Sequence, residues 1–533
     1  MPEEISLQIL RGTLEQGTAD ATQAKPRLSP EEAQRQAARD FRKLRLVAKA
    51  WDNDVITTLN DHAPAAVKAA TRGIIAGMAS KEAGADMVNP APAASKKKFS
   101  SSFFKKLFQK NTSNDLSPAR EMAAPLAVSV NQLIGKNLAD EDFRAGVARL
   151  LRDNAHVHLP LGGLSATQRA IVLGKLCEPE VVPNLKNVVL DLSPPKPEDP
   201  IERLPADFAA VLQAIRTLGE KGDKRLNIEV DLSRHQIGNE EGAALAQALA
   251  GSKVSKLSLR RGSMSADAVT ALTAALPNAS ALTHLDLDGH HSISRNIEKL
   301  TDVLPRCHLT DLNLARCGLD AQGMSLLATA IRQPATPLRA LALEGNVRAH
   351  LGDGFVSLFN ALRQSKLETL DVSGCWLGTS DAALDALKRA LASPATALRT
   401  LRLRNNSLNS NGWMPGIVLA LTRNRDSKLR ALDLSENSLQ NADLLLLVTN
   451  ITGKIYLLGP MGLPGIYRLR LADLRLEGNN NKFFSMGLEP LSKALQDAEN
   501  IPLRSLSLDC RLFDEDNPTA DKYRHLANWT NPH

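Results

Sequence analysis

Large aromatic side chains are scarce: three Tyr, four Trp and twelve Phe make up 4% of the chain. A thick core of rings is excluded, and the balance suits thin stacked layers, where each layer has room for Leu more than for rings. Cysteine is also sparse. Cys177, Cys307, Cys317, Cys375 and Cys510 form no C-x-x-C pair, which argues against a zinc site. Their odd number and wide spacing favour free buried thiols in a reducing compartment. No apolar run reaches the roughly 18 residues of a membrane span, and the polar N-terminus MPEEISLQILRGTLEQ lacks the pattern of a Sec signal. There is no Gly-rich phosphate loop, no H-E-x-x-H and no G-x-S-x-G. The histidines are scattered. His156 and His158 flank a predicted strand, His290 and His291 sit at a repeat turn, and all read as surface or turn residues. No cofactor, no metal and no enzymatic activity are expected. A net charge of +7 is mildly basic and implies no nucleic-acid partner without a localised patch.

What is abundant is a repeated frame of eleven positions, Lxx-Lx-(L/V)xx-(N/C)x-L. It starts at Leu367 within KLETLDVSGCWL (Lys366–Leu377) and reads LRTLRLRNNSL at Leu398–Leu408 and LRALDLSENSL at Leu429–Leu439. Indexed by its fourth position, it recurs at Leu257, Leu285, Leu312, Leu341, Leu370, Leu401, Leu432, Leu474 and Leu506, with weaker copies at Leu159, Leu190 and Val230. From Val230 to Leu432 the steps are 27–31 residues, long enough for a full α-helix in each return segment. Gly242–Ala250 (GAALAQALA) and Ser380–Ala392 (SDAALDALKRALA) carry that helical pattern. Two steps are longer. One contains SPPKPEDPIERLP at 193–205, and the other contains GKIYLLGPMGLPGIYR at 453–468. Each reads as a loop insertion that either binds a partner or is plain surface.

The frame and its period resemble the ribonuclease-inhibitor class of leucine-rich repeat over residues 156–512. That resemblance implies an α/β fold, a curved solenoid of about twelve strand–helix repeats of 27–31 residues. Positions 4 and 6 then enter the core and the residues between them face the concave side. Position 9 closes the turn by donating to backbone carbonyls. Asn346, Asn406, Asn437 and Asn479 fill it, and Cys317 and Cys375 take the same structural role.

Outside the array, residues 1–28 read as disordered and 29–87 as a helical arm opened by a capping box at Ser29 and Glu32. Residues 88–115 are a basic linker, 116–155 a helical N-terminal cap and 513–533 a C-terminal cap, with Leu512, Phe513 and Trp529 covering the last layer. Within the linker, Lys96, Lys97, Lys98, Lys105 and Lys106 interleave with Phe103, Phe104 and Phe108. On a helix this stretch, 96–110, would contact an anionic membrane or direct the chain to a nucleus. The plainer reading is a solvated linker whose Phe residues dock on the body of the protein.

The candidate partner-binding surface is the concave face. Position 5 supplies Asp286, Asp371, Arg402, Asp433 and Arg475, and position 7 supplies Asp288, Glu344 and Arg404. Arg316 lies at a turn, and Trp376 is a candidate aromatic anchor. The mixed signs favour a protein partner over nucleic acid. A repeat class common in eukaryotes, a polar N-terminus and a basic arm together resemble type III secreted bacterial effectors. That resemblance implies secretion into a host cell, to its cytoplasm or nucleus, and a host protein as partner; the alternative location is the bacterial cytoplasm. Two other expectations stand beside it. One is an adaptor of ubiquitin ligation that recruits through a helical segment at about 29–87; LPADFAAVL at Leu204–Leu212 has an F-box-like start but is too short for a complete F-box and reads as a helical return segment. The other is a GTPase-binding regulator using Arg316 and Arg261.

Overall fold

The computed structural model describes residues 140–195, 201–346, 352–408, 413–452, 469–479, 485–496, 502–508, 526 and 529–530. Among them, no helix is long and apolar enough to cross a membrane. The expectations for 1–139, including the targeting stretch with Lys96, Lys97, Lys98, Phe103, Phe104, Lys105, Lys106 and Phe108, lie outside the described residues, as do Leu512 and Phe513.

The described strands build a 13-stranded sheet. It starts with β1 (His156–Pro160), β2 (Asn187–Asp191), β4 (Asn227–Asp231) and β6 (Val254–Ser258). It continues through three-residue strands: β8 (His284–Asp286), β9 (Asp311–Asn313), β10 (Ala340–Ala342), β11 (Thr369–Asp371), β12 (Thr400–Arg402), β13 (Ala431–Asp433), β14 (Asp473–Arg475) and β15 (Ser505–Ser507). All of these pair in parallel. Position 4 stays in one register from end to end, Leu159 with Leu190, Val230, Leu257, Leu285 and onward to Leu506. A one-residue slip would turn each of these side chains out of the core. Both long steps therefore leave the register intact. Each Leu of the column is 2% exposed or less, and burying such a side chain contributes about 1.5–3 kcal/mol.

The return segments are helices on the other side of the core. They include α2 (Ala166–Leu176), α3 (Phe208–Lys221), α4 (Asn239–Leu249), α5 (Ala266–Ala275), α6 (Ser292–Val303), α7 (Ala321–Arg332), α8 (Gly352–Ala361), α9 (Asp381–Leu391), α10 (Trp413–Arg423), α11 (Asn441–Thr452) and α12 (Ser485–Gln496). Several starts are fixed by side-chain caps. Ser165 and Gln168 form a reciprocal box, Ser265 accepts from the Ala268 N–H at 3.1 Å, and Asp320 accepts from the Gly323 N–H at 2.8 Å. Gly242 lets α4 approach α5, because a Cβ there would lie 2.3 Å from the Ala268 Cβ. The F-box-like start falls on α3, whose Phe208, Val211, Leu212, Ile215 and Leu218 are buried in the shared core as in any return helix.

Two features go beyond the sequence expectations. A second, 3-stranded sheet runs along the ascending turns: β3 (Glu202–Arg203), β5 (His235–Ile237) and β7 (Ser263–Met264). The strand pattern does not stop after Leu508, because β16 (Trp529–Thr530) pairs antiparallel with β15 and covers an edge that would otherwise offer unpaired backbone groups. Leu526 is fully buried beside it. At the other end α1 (Asp140–Arg152) lays Phe143, Val147 and Leu151 on the first layer.

Candidate functional site: the inner face and the ascending turns

Position 9 builds a ladder through the interior. Side-chain Nδ2 groups donate to the position-6 carbonyl of the preceding repeat: Asn346 to Leu314 (2.9 Å), Asn406 to Val372 (2.8 Å), Asn437 to Leu403 (2.8 Å) and Asn479 to Leu434 (3.1 Å). The thiols of Cys317 and Cys375 do the same toward Leu287 and Leu343, each at 3.2 Å. Burial pushes both thiols up to about 12, so they remain protonated donors at neutral pH. The asparagines also accept. Asn406 Oδ1 takes the Cys375 and Leu377 N–H groups at 2.9 and 3.2 Å, and Asn437 takes those of Asn406 and Leu408 at 2.8 and 3.3 Å.

His290 belongs to this ladder, which corrects its reading as a surface or turn histidine. It is 1% exposed, and its Nε2 donates to the Leu259 carbonyl. Burial lowers its pKa and keeps the ring neutral. Its place at position 9 of its frame is the signal that would have identified it. His158 instead pairs with Asp191 at 3.1 Å, and among the described residues no His, Cys, Asp or Glu group could hold a metal ion.

The inner face is held in place from behind. At position 5 the acids and Asn313 use Oδ1 to accept the N–H two residues on. Asp286 takes Asp288 (3.1 Å), Asn313 takes Ala315 (2.9 Å), Asp371 takes Ser373 (2.9 Å) and Asp433 takes Ser435 (3.0 Å). One carboxylate oxygen of each acid therefore shapes a turn. Arg402 lies 3.6 Å from Asp371, Arg404 donates to Glu436 at 2.6 Å, and Arg475 is exposed. Trp376 is 57% exposed and holds a left-handed backbone, φ 57°, an outlying conformation for so bulky a residue.

The densest group of charges lies at the ascending turns of the middle repeats. Position 8 is left-handed in repeat after repeat. Gly289, Gly345, Gly374 and Gly478 occupy it, but so do Arg234, Arg261 and Arg316, at φ 66°, 54° and 53°. The backbone N–H of each of these arginines reaches the position-7 carbonyl of the next repeat: Arg234 to Arg260 (2.7 Å), Arg261 to Asp288 (2.6 Å) and Arg316 to Glu344 (2.7 Å). The arginines therefore stand in a row. Beneath them is Asp288. It was expected to face a partner, but it is fully buried, because guanidinium groups from the neighbouring repeats close over it. Arg316 Nη2 donates to Asp288 at 2.6 Å, and Arg260 Nε and Arg261 Nε lie 3.9 Å from the same oxygen. Arg316 Nη1 also donates to Glu344 at 3.0 Å.

The electrostatics follow from this packing. Burial pushes the Asp286 carboxyl up to about 6, against the pull of Arg260 3.5 Å away. Burial works against the charge of Arg316 too, but the hydrogen bond and charge of Asp288 outweigh it and hold the group above its ordinary value. Arg261 is lowered by burial and, against the pull of Asp288, by repulsion from Arg316, Arg260 and Arg234. A cavity of about 330 Å³ lies elsewhere, lined by Leu421, Asn424, Arg425, Leu469 and Arg470, and meets none of these charges.

A leucine-rich repeat family profile matches residues 307–328. The human NACHT, LRR and PYD domains-containing protein 5 is 33% identical over 190 residues, 34% of this chain and 15% of that protein. The mouse NACHT, LRR and PYD domains-containing protein 12 is 32% identical over 255 residues, 41% of this chain and 23% of that protein. The matches thus span less than a quarter of those relatives' lengths. Among solved structures, the leucine-rich repeat-containing protein LegL7 from Legionella pneumophila gives a TM-score of 0.37 at 16% identity, covering 58% of this chain and 90% of that one. A chain of the yeast Rad7 and Elc1 complex gives 0.34 at 14% identity, covering 78% and 94%. Register and ladder together define a leucine-rich repeat solenoid, and the family profile matches one stretch of it.

Proposed function

We propose that the chain is a non-enzymatic scaffold that holds a protein partner on the concave face of its solenoid, and that it works as a secreted bacterial effector whose partner is a host protein. The observation that carries the binding role is the inner-face column Asp286, Asp371, Arg402, Asp433 and Arg475. Its acids are oriented by turn hydrogen bonds, and Arg402 by Asp371, before any partner arrives. Preorganised groups lose less freedom on binding. Their mixed sign suits a protein surface and not a nucleic-acid backbone. The effector role is supported by the sequence of residues 1–115: a polar leading segment, then the basic, Phe-bearing stretch 96–110 that directs the chain to an anionic membrane or the nucleus.

Two measurements test this reading. Arg402→Glu and Arg475→Glu together are expected to abolish partner capture, while Arg389→Glu on the outer face of α9 leaves it unchanged. Equal effects would refute the concave-face assignment. Residues 1–115 fused to a reporter are expected to be secreted and delivered into host cells; failure of both removes the effector role. Recovery of a ligase scaffold by residues 29–87 would move the reading to an adaptor of ubiquitin ligation. The GTPase reading is disfavoured, because Arg316 is already bonded to Asp288 and Glu344.

A further inference from the structure

We infer that the row Arg234, Arg260, Arg261 and Arg316 on the ascending turns is a receptor for an extended acidic segment, rich in Asp or Glu, of the protein partner. The inference deepens the protein-binding reading by naming the chemistry of what binds and by placing it on the turns beside the concave face.

The first ground is conformational. A left-handed φ is free of steric cost for glycine and unfavourable for a side chain with a Cβ. Four repeats place glycine at position 8, whereas Arg234, Arg261 and Arg316 hold φ values of 53–66° there, as Asn405 and Glu436 do at 51° and 57° further along. The turn itself sets this backbone, and three of the five side chains that bear it are arginine. The neighbouring repeats make room for the long stems: a Cβ on Gly345 would lie 2.8 Å from the Arg316 Cγ.

The second ground is unmet hydrogen bonding. Arg234 Nε and Arg260 Nε are buried from solvent with no hydrogen-bond acceptor. Buried donors are normally paired. Arg261 has an ion pair only at 3.9 Å. Arg260 Nε meets carboxylates only at ion-pair range, Asp286 at 3.5 Å and Asp288 at 3.9 Å, whereas Arg316 is already hydrogen-bonded to Asp288 and Glu344. The carboxylates nearby do not fill the need from the front. Asp288 is fully buried beneath the row, and Asp286 has one oxygen in a turn. The Arg261 side chain is 47% exposed and that of Arg316 is 40% exposed. The outward side of the cluster therefore carries the guanidinium groups of Arg261 and Arg316, with the Glu344 carboxylate at one end, 47% exposed and already bonded to Arg316. The repulsion of Arg261 by Arg316, Arg260 and Arg234 is of the kind that an anion laid across them would relieve.

The third ground is spacing, which separates a peptide from a single small anion. Arg234, Arg261 and Arg316 follow β4, β6 and β9, with β8 between the last two. Three strand intervals of about 4.8 Å put roughly 14 Å between the ends of the row, the length of about four extended residues. Carboxylates on such a segment reach successive guanidinium groups, whereas one phosphate spans about one interval.

The test uses the full chain and fluorescein-labelled octaglutamate, read by fluorescence anisotropy at low and high salt. Glycine fits position 8, as Gly289 and Gly345 do, so the double variant Arg234→Gly/Arg261→Gly keeps the fold while removing two guanidinium groups. Octaglutamate is expected to bind the native chain and to bind the variant about tenfold more weakly or worse, with unchanged circular dichroism. Binding is expected to weaken as salt rises. Octalysine is expected not to bind, and inorganic phosphate is expected to displace octaglutamate only at much higher concentration. Equal affinity for both chains, no binding of octaglutamate, equal binding of octalysine, or displacement by phosphate at matching concentration would each overturn the inference. None of these outcomes touches the concave-face reading, which the Arg402 and Arg475 reversals test separately.

Discussion

Replacing Asn406 by alanine is expected to be among the most damaging single changes in the array. Asn406 is fully buried, so water cannot replace what its side chain does. Its Nδ2 donates to the Val372 carbonyl at 2.8 Å and to the Arg404 carbonyl at 3.3 Å, and its Oδ1 accepts the Cys375 and Leu377 N–H groups at 2.9 and 3.2 Å. Each buried backbone group left unpaired costs about 1–3 kcal/mol. With partial relaxation of the turn, the loss comes to about 4 kcal/mol. Cysteine at the same place keeps the donating half, as Cys375 does toward Leu343, and loses only the accepting half, so Asn406→Cys is expected to cost about 2 kcal/mol. Denaturant unfolding followed by circular dichroism measures the order native, Cys, Ala. Amide exchange at Cys375 and Leu377 reports the two orphaned N–H groups directly, and both are expected to lose protection in either variant. Equal costs for Cys and Ala, or a cost under about 1 kcal/mol for both, would refute the ladder argument.

Three further outcomes follow from the same geometry. The folded state holds the Asp286 carboxyl at about 6 against an ordinary 3.8, so its stabilising protonated form is fully present below pH 4 and lost as pH rises through 6. Asp286→Asn keeps the turn acceptor, as Asn313 shows. It is expected to stabilise the chain by up to about 3 kcal/mol above pH 6, with no gain below pH 4, as read from denaturation midpoints across pH. The buried thiols Cys317 and Cys375 are expected to resist alkylation until the array unfolds, while the half-buried Cys177 reacts earlier, as mass spectrometry of partly labelled chains would record. Trp376→Gly relieves a left-handed backbone and is expected to leave stability unchanged or raise it by about 1 kcal/mol while weakening partner capture; a loss of stability would mean that the ring packs against its neighbours.

The solenoid was legible because its information is local and repeated. The spacing of Leu257, Leu285, Leu312 and their successors states both the strand register and the room for a helix, and position 9 follows from counting along the frame. What was not legible depends on residues far apart in the chain. Asp288 reads as an exposed acid in DLDGHH, and only the arrival of Arg260, Arg261 and Arg316 from adjoining repeats buries it. His290 takes a slot that the frame usually gives to Asn or Cys; counting along the frame points to it, and the bond to the Leu259 carbonyl shows the role. The sheet β3–β5–β7 and the antiparallel β16 are two- and three-residue pairings with no periodic pattern to announce them. The dual duty of the position-5 acids, shaping a turn while facing outward, also needs coordinates, because the residue type is the same for either task.

The central claim, that a protein partner is held on the concave face, is tested most directly by site-specific photo-crosslinking in host-cell extract. A photoreactive residue is placed at Arg402 on the inner face and, in a separate chain, at Arg389 on an outer helix. The account predicts one adduct of discrete mass from position 402 that disappears when the same chain carries Arg475→Glu, and no such adduct from position 389. The same adduct from both positions, or one from 402 that survives Arg475→Glu undiminished, would contradict it.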